Sequence, residues 1–414
     1  MKTLCEAHAH IAQLGRAMSF VQLGTCRSAD EMIERLTGFA ATADPDQWII
    51  AHGARPESWD PPLWPGLDEL DHAGSGRPIV AWCFDYHSLV ASSAAIASGD
   101  FDGLRDIALV VRDSDDRATG LMLEDAALRV WSSVPEPSAT ERRVQVRAAC
   151  AHLTQLGFVE VHDLKSPPWL GPLLSELESA GELGISVALY PMLDDAIEVQ
   201  STSEMWRGDR VRLGGAKLFS DGSLNSRTAW MLSPYRDPIA DRASGLPLHT
   251  PDELDQSVRR ADSIGLPLAV HAIGDAAVRA VLDAVERVAP KTEGFRIEHC
   301  EVIDADDVPR FADLGVVASV QPCHLLADIE ALHRYLPHRL DRVLPLRELI
   351  DAGCTPGELL RFGSDVPIVR ADPDDSIRAA VHRRRAGTPE SDAIAPEQAI
   401  SEDQGWACFA PTRP

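Results

Sequence analysis

Short apolar segments alternating with helical stretches constrain this chain more than any other feature. From residue 158 onward the segments are Phe158–Asp163, Ile185–Tyr190, Gly215–Phe219, Leu266–His271, Arg296–His299, Val316–Gln321 and Leu360–Asp365. Each is followed by a helix-like stretch, the arrangement of parallel strands joined by crossover helices. With the N-terminal Leu4–His8 the count is eight, the number a (β/α)8 barrel requires.

The spacing departs from a regular barrel at one place. Residues 1–11 hold strand one, and the stretch 12–150 before strand two is far longer than one crossover helix needs. Two more strand-like runs lie within it, Trp48–Gly53 and Pro78–Phe84. This predicts an α/β subdomain inserted after strand 1 and packed near the barrel mouth, with 151–414 forming the remainder of the barrel and the C-terminal helices. The fold class is therefore α/β, a distorted TIM barrel with an insert.

Barrel enzymes place their chemistry at the C-terminal ends of the strands. Those ends here carry His8 and His10, Lys217, His271, His299 and Asp365. Each alone means little: a lone buried histidine is more often a hydrogen-bonded core residue, and Asp365 after Gly363-Ser364 could be a helix cap. Together they point to metal. Period two sets both histidines of His8-Ala9-His10 on one strand face, and imidazole and carboxylate suit first-row metal ions. Lys217 is the odd member, in a chain with only four lysines against 35 arginines. Burial beside cations lowers an ammonium pKa, and a neutral amine can take up carbon dioxide to form a carbamate, a carboxylate-like ligand able to bridge two metals.

Composition removes several classes. The net charge of −25 argues against nucleic acid, whose binding needs a basic footprint. No apolar run approaches a membrane span, and no N-terminal h-region is visible, so the expected partner is a small molecule and the expected location cytoplasmic. Eight cysteines, none in a CxxC pair, read as reduced thiols.

These residues resemble the metal-dependent amidohydrolase superfamily, and most closely its amidohydrolase family 3, the branch containing N-substituted formamide deformylase. The resemblance runs from Ala7–His10 through Asp85–Ser88, Thr119–Glu124, Val161–Asp163, Lys217–Ala229 and Val270–Asp275 to Arg296–His299 and Gly363–Pro367. The Lys217–Ala229 block, KLFSDGSLNSRTA, is the most specific stretch.

The resemblance implies a divalent metal site of one or two ions, with zinc the expected metal. His8, His10 and Asp365 would hold the inner ion, His271 and His299 the outer one, and N6-carboxylated Lys217 would bridge them. The implied reaction is hydrolysis of an amide-type C–N bond, with hydroxide attacking a carbonyl and Asp365 as general base and then acid. His162 and His87 are candidates for stabilising the oxyanion, and Arg227 for binding a substrate group, unless it pairs with Asp221 or Asp237 to hold its loop. Members usually carry a β-sandwich flanking the barrel, which the ends of this sequence are expected to lack. A partner subunit covering the barrel bottom, in a homo-oligomer, is one way to replace it. Alternatives are a lactone or ester hydrolase, a deaminase on the same barrel, and a catalytically silent barrel that binds a ligand. The stretch His271-Ala272-Ile273-Gly274-Asp275 lacks the glutamate typical of the deaminases.

Overall fold

The computed structural model describes residues 3–44, 47–84, 86, 88–98, 110–238 and 242–412. The chain divides into two compact units, Met1–Gly15 with Val146–Pro414, and Arg16–Gln145. The chain leaves the first within the helix Ile11–Ala17 and returns within the helix Ala139–Gln155. The sequence-based limits at 12 and 150 lie inside these same two helices, which carry no break in composition at the point where packing changes.

In the first unit the strands Leu4–Ala9, Phe158–Leu164 and Ser186–Tyr190 pair in parallel, with Val211–Leu213 at their edge. A second parallel sheet runs in the order Ala216–Phe219, Leu268–Ala272, Arg296–His299, Val317–Val320 and Leu360–Phe362. Two joints connect the sheets. At one, Lys217 N donates to Pro191 O at 2.7 Å, and Met192 bridges Lys217. At the other, Asp365 N donates to His8 O at 2.7 Å and His10 N to Val366 O at 3.0 Å. Each of the eight predicted segments is thus a strand, and the pairing order returns to the first.

The strands are apolar on both faces because helices cover the outside and side chains fill the inside. Helix Pro251–Ser263 shows how local sequence builds that cover. Thr250 caps it, Pro251 occupies the first turn, and Glu253 completes a reciprocal capping box. Leu254, Val258 and Ala261 then recur at helical spacing and are buried. At the joint between the last strand and the first, Gly363 is required by space. A Cβ there would lie 2.6 Å from His8 N and 2.8 Å from Glu6 Oε1. That close approach lets the Glu6 carboxylate accept from His8 N, Ser364 N and Ser364 Oγ, clamping His8 against the Asp365 loop.

The second unit holds a six-stranded sheet in the order Val21–Gln22, Ile49–Ala54, Ile79–Cys83, Ser88–Ala91, Ala118–Leu123 and Val110–Arg112. The first three strands are parallel and the rest antiparallel. Only two of these were legible in sequence, since the others are two to six residues long with weak alternation. Trp59 is buried in this unit's own core, donating Nε1–H to Cys26 O at 2.9 Å, with Trp64 packed edge-on to it. No described helix is long and apolar enough to cross a membrane.

Candidate metal centre

The strand registers bring the polar ends to one level. Phe219 pairs with His271 and Ala272 with His299, so the fourth, fifth and sixth strands finish side by side. Left-handed backbone at His299 (φ 73°), Cys300 (φ 48°) and Asp365 (φ 62°) turns the chain sharply at two of these ends. Such conformations cost energy for non-glycine residues and persist where surrounding structure enforces them.

His8, His299 and Asp365 are all buried, and their ligand atoms lie within 4.8 Å of one another. Asp365 Oδ1 is 3.3 Å from His8 Nε2 and 2.8 Å from His10 Nε2. Two ligands bonded at about 2.0–2.1 Å to one tetrahedral zinc would stand about 3.3 Å apart. The rings of His8 and His299 lie 4.9 Å apart between centroids, and those of His271 and His299 4.4 Å.

Three of the histidines commit one nitrogen elsewhere. His8 Nδ1 meets Glu298 Oε2 at 2.7 Å, His10 Nδ1 meets Leu164 O at 2.5 Å, and His271 Nε2 meets Gly222 O at 3.0 Å. Each partner is an acceptor, so that nitrogen carries the proton and the other presents a lone pair. Tying down the far nitrogen in this way is how metal-ligating histidines are oriented. Meanwhile Lys217 Nζ, His299 Nδ1 and Asp365 Oδ1 are buried with no hydrogen-bond partner among the described residues. Buried polar atoms without partners are rare and costly. His299 and Asp365 lie with His8 within 4.8 Å of one another, and unpartnered atoms on such imidazole and carboxylate donors fit a divalent cation.

Electrostatics follow from the enclosure. Burial holds the His271 imidazole at about 3 and His299 well below its usual value, with neighbouring cationic groups adding to the effect. Burial also lowers Lys217 to about 8, against the opposing pull of Glu298 and Asp365. Its ammonium position lies 4.9 Å from the Phe219 ring centroid.

The remaining expectations fare differently. His162 is not brought to this cluster as a free donor. Its Nδ1 accepts from Arg296 Nη1 at 2.8 Å and its Nε2 faces Glu160 Oε1 at 3.2 Å, because its neighbour on the strand face is a buried ion-pair network. Arg227 Nη1 donates to Asp237 O at 2.7 Å and lies 3.3 Å from Asp237 Oδ2, with its guanidinium 4.9 Å from the Tyr335 ring. Those contacts hold its own loop. His87 lies outside the described residues.

Several further polar groups lie at or beside the cluster without a ligand role in the sequence reading. Asp221, in the KLFSDGS block, accepts from the backbone N–H groups of Ile273, Gly274 and Trp230, and burial pushes it to about 7. Glu301 and His324 sit beside His299, the three forming a second buried trio of potential ligands. Glu298 lies within the Arg296–His299 strand, where alternation sets it on one face with Arg296.

Comparison with known proteins agrees with this geometry. The amidohydrolase family model matches residues 3–403. Protein LONG AFTER FAR-RED 3 of Arabidopsis thaliana is 29% identical over 404 residues, covering 92% of this chain and 68% of that protein. N-substituted formamide deformylase of Arthrobacter pascens is 23% identical over 433 residues, covering 98% and 77%. The crystal structure of an uncharacterized metal-dependent hydrolase from Pyrococcus horikoshii OT3 superposes with a TM-score of 0.77 at 26% identity, covering 98% of this chain and 79% of that one. The chain belongs to the amidohydrolase family.

Proposed function

We propose that the protein is a metal-dependent hydrolase of an amide-type C–N bond, working at the C-terminal end of a distorted TIM barrel into which residues 16–145 are inserted. The observation that carries this reading is the convergence of Lys217 Nζ, His299 Nδ1 and Asp365 Oδ1, buried and without partners, beside the Nε2 atoms of His8 and His10. His8, His10 and Asp365 would hold an inner ion and His271 and His299 an outer one, and zinc suits these N/O donors. As a carbamate, Lys217 would add a carboxylate-like donor to this set, and its nitrogen would gain the polar environment that it otherwise lacks. When bound, the metal would supply Lewis-acid activation of water and of a carbonyl.

The protein's own groups do the rest. Asp365, held between His8 and His10, takes the proton released as the carbonyl is attacked and returns it to the departing amine. Glu6 keeps the Asp365 loop clamped to the first strand through Ser364. The wall of buried side chains limits the water that reaches the reacting carbon. The formamide activity named for the Arthrobacter relative suggests N-formyl or N-acyl amines as the first class to try. Eight free cysteines, all buried, suit a reducing cytoplasm, and the acidic charge suits a small-molecule partner rather than nucleic acid.

The test is a panel of N-formyl amines, N-acyl amines, lactams and lactones, assayed with protein of measured metal content. Turnover of an amide that disappears on chelation and returns with zinc is expected. Turnover of lactones alone would replace the amide assignment, and protein that binds no metal and turns over nothing would refute the reading. Carbon-13 bicarbonate NMR should show a carbamate resonance that Lys217→Ala removes.

A further inference from the structure

We propose that Glu298 and Arg296 are positioning residues for the metal centre, acting through His8 at the inner end of a buried charged chain. The inference rests on the reading of that cluster as a metal site.

The chain is continuous. Glu298 Oε2 accepts the Nδ1 proton of His8 at 2.7 Å. Arg296 grips the same carboxylate, through Nε on one oxygen and through Nη2 at 3.2 Å on the other. The same Nη2 also reaches Ala7 O at 2.7 Å and Ser319 Oγ at 2.6 Å, and Nη1 reaches His162 Nδ1 at 2.8 Å. Because His162 Nδ1 accepts, its proton sits on Nε2 and faces Glu160 Oε1 at 3.2 Å. Glu160 is held in turn by Arg212 Nη2 and by the backbone N–H of Thr412, both at 2.7 Å. Glu298, Ser319, His8, His162, Arg296 and Glu160 are all buried.

Stability alone does not account for this arrangement. Burying an ion pair costs desolvation that its attraction often fails to recover, and apolar side chains of similar volume would fill the same space at least as well. What the ion pair adds is a fixed acceptor at His8 Nδ1. An unrestrained imidazole populates both tautomers, and only the Nδ1–H form presents Nε2 to a metal. Arg296 in turn keeps the Glu298 carboxylate ionised and aimed, with five of its contacts set by strands one, two, six and seven. His162, expected from sequence to meet the substrate, here anchors the far side of Arg296.

The experiment is a double-mutant cycle read by zinc affinity, using chelators of graded strength on the full-length protein. Glu298→Gln is measured in the native background and in His8→Ala, with circular dichroism to verify the fold of each. Glu298→Gln should weaken zinc binding about 10–100-fold in the native background, and by less than about two-fold once His8 is gone, because the interaction it served no longer exists. Equal weakening in both backgrounds would mean a general structural role and overturn the inference, as would unchanged affinity. If Glu298→Gln does not fold, Ser319→Ala, which removes one acceptor of Arg296 and leaves the ion pair, takes its place with an expected loss of a few-fold in the native background alone. Unmodified protein that binds no zinc would instead refute the metal reading itself, an outcome separate from the other two.

Discussion

The unpartnered lysine makes the sharpest prediction, and it concerns stability before catalysis. In metal-stripped protein and carbonate-free buffer, Lys217 is a fully buried amine with no hydrogen-bond partner. Its pKa falls from 10.5 to about 8, with burial as the main cause. At about 1.4 kcal/mol per unit, that drop corresponds to a penalty of about 3 kcal/mol on holding the proton in the folded state. The direction follows from linkage. Between about pH 8 and 10.5 the unfolded chain binds more protons than the folded one, so stability rises with pH. The penalty is therefore fully present below about pH 8 and absent above 10.5. Lys217→Met removes the charge and keeps an unbranched side chain one atom shorter. At pH 7 the metal-free variant should be about 3 kcal/mol more stable than metal-free native protein, and this gain should shrink as pH rises through that window. Urea unfolding of both proteins at a series of pH values, compared as a difference so that other titrations cancel, measures it. No gain at pH 7, or the same gain at pH 7 and 10.5, would refute the reasoning. The same substitution should abolish turnover, so stability and activity should move in opposite directions.

Three further outcomes follow from the site. Removing metal with a chelator should lower the thermal midpoint, and zinc at 100 times its dissociation constant should restore about 2.7 kcal/mol; calorimetry with and without zinc checks this. Asp365→Asn should reduce turnover of a responsive amide about 10²–10⁴-fold while leaving the far-ultraviolet circular dichroism unchanged. Gly363→Ala drives a Cβ to 2.6 Å from His8 N and 2.8 Å from Glu6 Oε1. Chemical denaturation should show a loss of about 1–3 kcal/mol, and zinc affinity should fall with it because His8 is displaced.

Much of the architecture was legible because its cause is local. The first unit's strands are apolar runs separated by helices whose caps are written in sequence, as at Thr250-Pro251-Asp252-Glu253. His8-Ala9-His10 and Lys217 stood out because polar residues at apolar strand ends are anomalous in any context. His162 stood out for the same reason and was assigned to the substrate, yet its nitrogens face Arg296 and Glu160. Residue type and strand position could not separate the two fates. The partners that neighbouring strands supply decide between them: Arg296 and Glu160 meet His162, whereas Asp365 meets His8 and His10.

Arg227 illustrates the same limit on a loop. Its sequence context allowed a substrate contact or a tie to Asp221 or Asp237, and only the folded loop brings Asp237 to it. By itself, then, the sequence determined the order of strands, the residue types at their ends and the family, since these depend on short-range pattern. The tertiary structure alone decided which nitrogen of His8, His10 and His271 is committed, that Glu298 meets His8 across 290 residues, and that Lys217 Nζ, His299 Nδ1 and Asp365 Oδ1 are left buried without hydrogen-bond partners among the described residues. Those facts arise where separate strands converge, and contact between strands far apart in the chain leaves no periodic trace in it.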